Sequence, residues 1–237
     1  MAMGNKYGAH RVIEPKGLLP QAAQKIDNKM EIYDNEILID VSALNIDSAS
    51  FRQLWTASEQ NEERLKEMVL GIVAERGKMQ NPVTGSGGML MGSIAKIGSA
   101  LQDRKDIKVG DRIASLVSLS LTPLDIEEIL AVHPETDRVD IKGQAILFES
   151  GIYAKLPDDM PEALALAALD VAGAPAQTAN IVKPGDSVLI LGAGGKSGML
   201  CGYEAMKRVG PCGNVVGMSR NNRPEKTLLD NHFVHKF

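Results

Sequence analysis

Residues 182–220 read VKPGDSVLILGAGGKSGMLCGYEAMKRVGPCGNVVGMSR, and the order of elements in them decides the fold. Val188, Leu189, Ile190 and Leu191 form a continuous apolar run, the pattern of a parallel strand covered on both faces. Gly192, Gly194, Gly195 and Gly198 follow, then a helical segment and a second strand, NVVGMS. Strand, glycine-rich turn, helix and strand are how a dinucleotide-binding unit begins. A glycine at 192 allows the tight turn, and bare backbone lets a pyrophosphate approach. Gly198 allows the helix to pack closely on the strand. Lys196 and Ser197 open the helix, whose free N–H groups and positive dipole end suit an anion. A strict G-x-G-x-x-G would need glycine where Ser197 stands, so the spacing is G-x-x-G-x-x-G. A glycine-rich turn with no ligand is the plainer alternative.

The end of the second strand discriminates between nicotinamide cofactors. An acidic residue there would hold a ribose 2′-hydroxyl. Ser219, Arg220 and Asn221 stand there instead, which suits a 2′-phosphate and favours NADP over NAD. A solvated arginine at a strand end is the alternative.

Upstream the pattern changes. EILIDVSALNID, residues 36–47, alternates and is rich in Ile, Leu and Val, so a strand is expected. Residues 57–77 place Leu65, Met68, Val69, Ile72 and Val73 at helical spacing, with Gly77 as a stop. NPVTGSGGMLMGSIAKIGSAL reads as a glycine-rich turn and a strand, and KVGDRIASLVSLSLTPL as a turn and another strand. QAILFESGIYAKLP holds two short strands, and residues 161–179 read as a buried helix. The expected architecture is therefore a β-rich domain over 1–157 and a dinucleotide-binding domain over 158–237.

Bulk composition narrows the partners. The net charge of −4 has no basic block, so neither nucleic acid nor an anionic membrane is an expected partner. Aromatic residues make up 4%, too few for stacking of single-stranded bases. Two cysteines, Cys201 and Cys212, form no disulfide framework, which fits a reducing cytoplasm. No run approaches the ~18 apolar residues of a membrane span, and the N-terminus has no apolar signal core.

A β-rich domain, a helix and then KPGDSVLILGAGG resemble the medium-chain dehydrogenase/reductase superfamily, which pairs a GroES-like catalytic domain with a Rossmann domain. Within it, KYGAHRVIEP, NEILIDVSALNIDSASFRQ, NPVTGSGGMLMG, VSLSLTPL, ETDRVDIKGQAILFESGIYAKLPDDMP and DVAGAPAQTA resemble the L-erythro-3,5-diaminohexanoate dehydrogenase family of anaerobic lysine fermentation. The resemblance implies an α/β fold with a GroES-like domain and a Rossmann-type domain. It implies oxidative deamination of the 3-amino group with NADP or NAD, giving 5-amino-3-oxohexanoate and ammonium, and a homodimer. Two alternatives stay open: a zinc-independent enone or quinone reductase, and a non-catalytic fragment.

Zinc-bearing members use Cys and His in the first domain, but here no cysteine precedes Cys201 and His10 and His133 stand apart, so no zinc is expected. The polar chemistry then falls to Asp47, with Asn45, Ser48 and Ser50 beside it, and to Thr84 and Ser86. For Asp47 and Ser48 the alternative is a helix cap; for Thr84 and Ser86 it is a plain turn. Glu149, Tyr153 and Arg52 are weaker candidates, and Thr178, beside Gln177, is a candidate cofactor contact. After Gly198 only 39 residues remain. The tail NNRPEKTLLDNHFVHKF is expected to leave the family pattern, and the second strand to lack a neighbour. The chain is therefore expected to be truncated and to bind NADP weakly.

Overall fold

The computed structural model describes residues 2–237. The strands are β1 (Val12–Glu14), β2 (Lys25–Ile26), β3 (Glu36–Ile46), β4 (Gly88–Ile97), β5 (Arg112–Ser115), β6 (Leu124–His133), β7 (Arg138–Phe148), β8 (Tyr153–Lys155), β9 (Ser187–Leu191) and β10 (Asn214–Met218). The helices are α1 (Ser48–Ala57), α2 (Glu62–Arg76), α3 (Glu162–Leu169), α4 (Gly173–Ile181), α5 (Lys196–Val209) and α6 (Glu225–Asp230). The chain divides into two compact units, the first ending at Glu162 and the second spanning Ala163–Phe237.

The first unit is built on a six-stranded sheet in the order β6-β7-β3-β4-β5-β8, antiparallel throughout. Long β3 lies at its centre, and its register shifts between Val41 and Ala43 against both neighbours. That bulge changes which face each residue takes. Ile37, Ile39 and Val41 face the core before it, and Leu44 and Ile46 after it. Asn45 is thereby turned to the opposite face. At the other end of β3, Arg11 makes a two-pronged pair with Glu36, both nearly fully buried. Its remaining donors reach the carbonyls of Lys29 and Glu31, so the buried charges are fully bonded.

The helix expected over 57–77 is shorter: it is α2, and Ala57 ends a separate helix, α1. Glu59 and Gln60 take positive φ, which breaks the helix after Ala57. Asn61 then caps α2 by accepting from the Arg64 N–H, and Gly77 closes it at φ 70°. The expectation missed α1, which begins at Ser48, because its polar residues hide the period. It also missed most of the β6–β7 hairpin, where Glu127 and Glu128 interrupt the alternation at a bulge. The buried helix expected over 161–179 is two helices, and only Ala165 and Leu166 of α3 are buried.

The second unit holds β9 and β10, paired in parallel, with α5 between them in sequence. Val188 and Ile190 pack against the core of Ala193, Ala205, Val209 and Val215. The expectation of a strand covered on both faces is not met: Leu189 is 60% and Leu191 73% exposed, because α5 covers one face only. The C-terminal tail is also unlike its expectation. Leu228 and Val234 are buried in this core, and Lys236 pairs with Val216 in a parallel bridge. The Lys236 carbonyl accepts from the Gly217 N–H, so the outer edge of β10 is partly satisfied rather than bare.

One buried cation in the first unit has no carboxylate partner among the described residues. Lys78 is fully buried and donates from Nζ to the Pro20 carbonyl at 2.5 Å and more weakly to Gln21. Burial, and secondarily the charge of Arg76, lower its pKa to about 8. The folded state thus binds its proton less tightly than the unfolded chain, whose lysine titrates near 10.5. Below pH 8 the penalty is fully present, and it disappears as pH rises to about 10.5. Wild-type stability should therefore gain on Lys78→Met by up to about 3 kcal/mol across that window. Urea unfolding of both proteins at pH 7.5 to 10.5 measures this, and a constant difference between them would count against it.

Candidate functional site

Two polar regions emerge, one in each unit. In the first, the glycine-rich segment before β4 meets the end of β3. Gly88 has φ 122°, and a Cβ there would lie 2.0 Å from the Asn45 carbonyl oxygen and 2.9 Å from the Asp47 nitrogen. The bare backbone lets the loop close on β3, and the Asp47 N–H donates to the Gly87 carbonyl at 3.2 Å. The segment is held by Asn81, itself fully buried. Its Oδ1 accepts from the N–H groups of Val83 and Thr84, and its Nδ2 donates to the Ser50 carbonyl and to Gln53.

This closure brings Asn45, Asp47, Ser48, Ser50, Thr84 and Ser86 into one neighbourhood. Asp47 stands at the N-cap position of α1 but makes no cap hydrogen bond with its side chain. Among the described residues its half-buried carboxylate has no hydrogen-bond or ion-pair partner. Ser48 does not cap either; its hydroxyl donates to the Asp137 carboxylate. Asn45 is 6% exposed, and its amide has no hydrogen-bond partner among the described residues. No fully buried side-chain polar atom lacks a partner among the described residues, so the Asn45 amide reaches solvent-accessible space that water or a ligand can occupy. Ser50 is fully buried, with its hydroxyl 2.5 Å from Thr84 and 2.6 Å from Ser86.

The weaker candidates are tied elsewhere. Glu149 accepts from Asn35, and Tyr153 donates to Asp106 beneath Arg104. Burial, then the Asp106 carboxylate, push the Tyr153 phenol up to about 12, so it keeps its proton. Arg52 is exposed on α1. The histidines that stand apart in sequence each find a carboxylate: His10 lies 2.9 Å from Glu36 and His133 2.9 Å from Asp140. Among the described residues no group of three or more His, Cys, Asp or Glu is placed to share a metal ion.

In the second unit an open cavity of 760 Å³ lies over the glycine turn. Gly192, Gly194, Gly195, Ser219 and Arg220 line it, together with Arg223. Gly192 has φ 85°, and a Cβ there would point into open space that bare backbone leaves to a ligand; at Gly195 it would meet the Gly192 carbonyl oxygen at 3.6 Å, an ordinary contact. At Gly198 a Cβ would lie 2.3 Å from the Gly192 carbonyl oxygen, so α5 starts hard against the turn. No side chain caps α5, and its first turn carries no acidic residue. Two arginines and no carboxylate line the cavity, which favours an anion.

Four candidates fall outside that lining. Lys196 pairs with Asp170 at 3.1 Å. Ser197 and Gly198 lie in the helix beyond it. The Thr178 hydroxyl donates back to the Ala174 carbonyl of its own helix. Arg223 was not foreseen, because it lies in the tail that was expected to leave the pattern; the signal was an arginine three residues past Arg220.

Solved structures share this arrangement. CurK enoyl reductase matches at a TM-score of 0.52 and 18% identity, over 90% of this chain and 54% of that one. The CurF ER cyclopropanase from the curacin A biosynthetic pathway matches at 0.51 and 17%, over 89% and 53%. At such identity they define the fold alone, a β-rich unit followed by part of a Rossmann-type unit.

Residues 10–157 match the family described as the L-erythro-3,5-diaminohexanoate dehydrogenase N-terminal domain, and the chain belongs to this family. Curated proteins named L-erythro-3,5-diaminohexanoate dehydrogenase are 68% identical to it. The one from Acetoanaerobium sticklandii matches over 96% of this chain, and the one from Fusobacterium nucleatum subsp. nucleatum over 97%. The chain spans 66% of the length of each. The first match leaves ten residues of the chain uncovered, fewer than the 17 that follow Arg220. Similarity therefore extends into the tail, contrary to expectation.

The Gly88 contact makes the first region testable. Gly88→Ala should cost about 3 kcal/mol or more, because the new Cβ meets backbone on both sides at positive φ. Chemical denaturation reads this directly, and a loss below 1 kcal/mol would mean that the loop closes on β3 without needing bare backbone.

Proposed function

We propose that the chain carries the amino-acid site and the adenosine-binding turn of an oxidoreductase that deaminates L-erythro-3,5-diaminohexanoate. The products are 5-amino-3-oxohexanoate and ammonium, as in lysine fermentation. The single observation that carries the chemistry is the unpartnered carboxylate of Asp47, beside the unpartnered amide of Asn45. The names of the 68% identical relatives support the substrate.

The reaction removes two hydrogens from C3 and its nitrogen. A nicotinamide dinucleotide, when bound, supplies the hydride acceptor. Gly192, Gly194 and Gly195 would hold its pyrophosphate against the start of α5, with Lys196, Ser197 and Gly198 forming the helix end and Thr178 in a supporting contact. Ser219, Arg220 and Arg223 favour a 2′-phosphate, hence NADP over NAD.

In the first unit, Asp47 binds the C3 ammonium and takes its proton, leaving a lone pair on nitrogen as C3 is oxidised. Asn45 orients the amine; Ser48, whose proton goes to Asp137, offers an acceptor oxygen, and Ser86 offers its hydroxyl to the substrate and to the water that releases ammonium. No zinc is needed in this scheme, because the amine proton goes to a carboxylate. The working protein would be a cytoplasmic homodimer.

Two measurements test this reading. Asp47→Asn should lower turnover of the diamino acid about 100-fold, followed by the absorbance of reduced nicotinamide, while cofactor affinity stays within about twofold. Unchanged turnover would remove Asp47 from the mechanism. For the cofactor, calorimetric titration with 2′,5′-ADP and 5′-AMP isolates the 2′-phosphate. The first should bind about tenfold tighter, and Arg220→Ala should abolish the difference. Equal binding by wild type would refute the NADP preference.

A further inference from the structure

Ser50, Thr84 and Ser86 form a cluster of three hydroxyls with no charged member. Ser50 lies fully buried in the first turn of α1, 2.5 Å from Thr84 Oγ1 and 2.6 Å from Ser86 Oγ. Thr84 and Ser86 are themselves 3.4 Å apart. A hydroxyl has one proton to give, so Ser50 can donate to one neighbour and must accept from the other. If Ser86 donates to Ser50 and Ser50 to Thr84, the Thr84 proton has only the long contact to Ser86 inside the cluster. The Ser86 N–H also points at Thr84 Oγ1, at 3.4 Å, which further fills its acceptor side. If the chain runs the other way, the spare proton is that of Ser86. Either direction ends in one outward O–H on a residue that reaches solvent, strengthened by the bonds behind it.

An outward donor with no carboxylate in the cluster suits an anionic oxygen. Asp47, three residues before Ser50 and bonded through its N–H to Gly87, presents the opposite character. Asp47 and Ser50, the buried hydroxyl behind the outward donor, therefore stand within one turn of α1. That pairing matches a β-amino acid, whose ammonium and carboxylate are separated by two carbons.

We propose that the Ser50–Thr84–Ser86 cluster is the carboxylate subsite for the substrate, with Ser50 as the buried positioning residue that aims the outer hydroxyls. This rests on the reading that Asp47 binds the C3 ammonium. Asn81 supports the cluster from behind, since its side chain fixes both the Thr84 N–H and the Ser50 carbonyl.

The test compares two probes that share both ammonium groups and differ in the carboxylate: L-erythro-3,5-diaminohexanoate and its decarboxylated counterpart, pentane-2,4-diamine. Binding to the chain is followed by NMR shifts of the loop 81–88 and α1 amides. Ser50→Ala and Thr84→Val should each weaken the diamino acid about tenfold and leave the diamine within twofold, while Asp47→Asn should weaken both. Thr84 is exposed, so its variant keeps the test alive if the buried Ser50→Ala does not fold. Equal loss for both probes in Thr84→Val, or no loss for either, overturns the carboxylate subsite while Asp47 stands. Absence of any shift with either probe, or binding that Asp47→Asn leaves unaltered, overturns the ammonium reading and the subsite with it.

Discussion

The bulge between Val41 and Ala43 is the constraint on which the first unit depends. A strand has a period of two, so one extra residue exchanges its faces. Before the bulge the odd-numbered residues Ile37, Ile39 and Val41 fill the core, and after it Leu44 and Ile46 do. A regular strand would have carried Asn45 into that core and left Leu44 and Ile46 outside. The bulge is matched by register shifts against β4 and β7 at the same place, so three central strands share it. The same device that keeps the core apolar turns an amide outward, next to the start of α1.

Gly88 then completes what the bulge begins. With no Cβ, it lets the 81–88 segment lie against the Asn45 carbonyl and the Asp47 nitrogen. Asn81 spends its whole amide holding that segment, and the Ser50 hydroxyl is spent on Thr84 and Ser86. Arg11, too, has its buried donors met. Against this background of satisfied groups, Asn45 and Asp47 differ. A half-buried carboxylate and the amide of a buried asparagine stand here with no bonded partner among the described residues.

Much of this could be read from the sequence, and the reasons for the rest are physical. Glycine spacing after an apolar run identified the β9–α5–β10 unit, because Gly192 takes a positive φ and Gly194 and Gly198 leave no room for a Cβ. The same logic located the loop before β4. The role of α1 was not legible: Asp47 and Ser48 have the composition of a helix cap, and only coordinates show that neither caps. Hairpin β6–β7 was obscured because bulges break the alternation that reveals strands. The cluster of Ser50 with Thr84 and Ser86 joins residues more than 30 positions apart, which no local pattern encodes.

The second unit shows how composition misleads at a chain's far end. The tail is polar and lacks a strand pattern, yet Leu228 and Val234 are buried and Lys236 bridges to β10. Leu228 in short α6, with Phe233, Val234 and Phe237 after it, folds the tail back, since all four pack in or on that core. This places Arg223 on the same cavity as Arg220. One arginine at a strand end is commonplace; two on one cavity without a carboxylate make a field that an anion would feel. The glycine turn and the folded tail thus meet at one cavity, the turn supplying bare backbone and the tail supplying charge. Neither feature alone would give the cavity both bare backbone and positive charge; their convergence does.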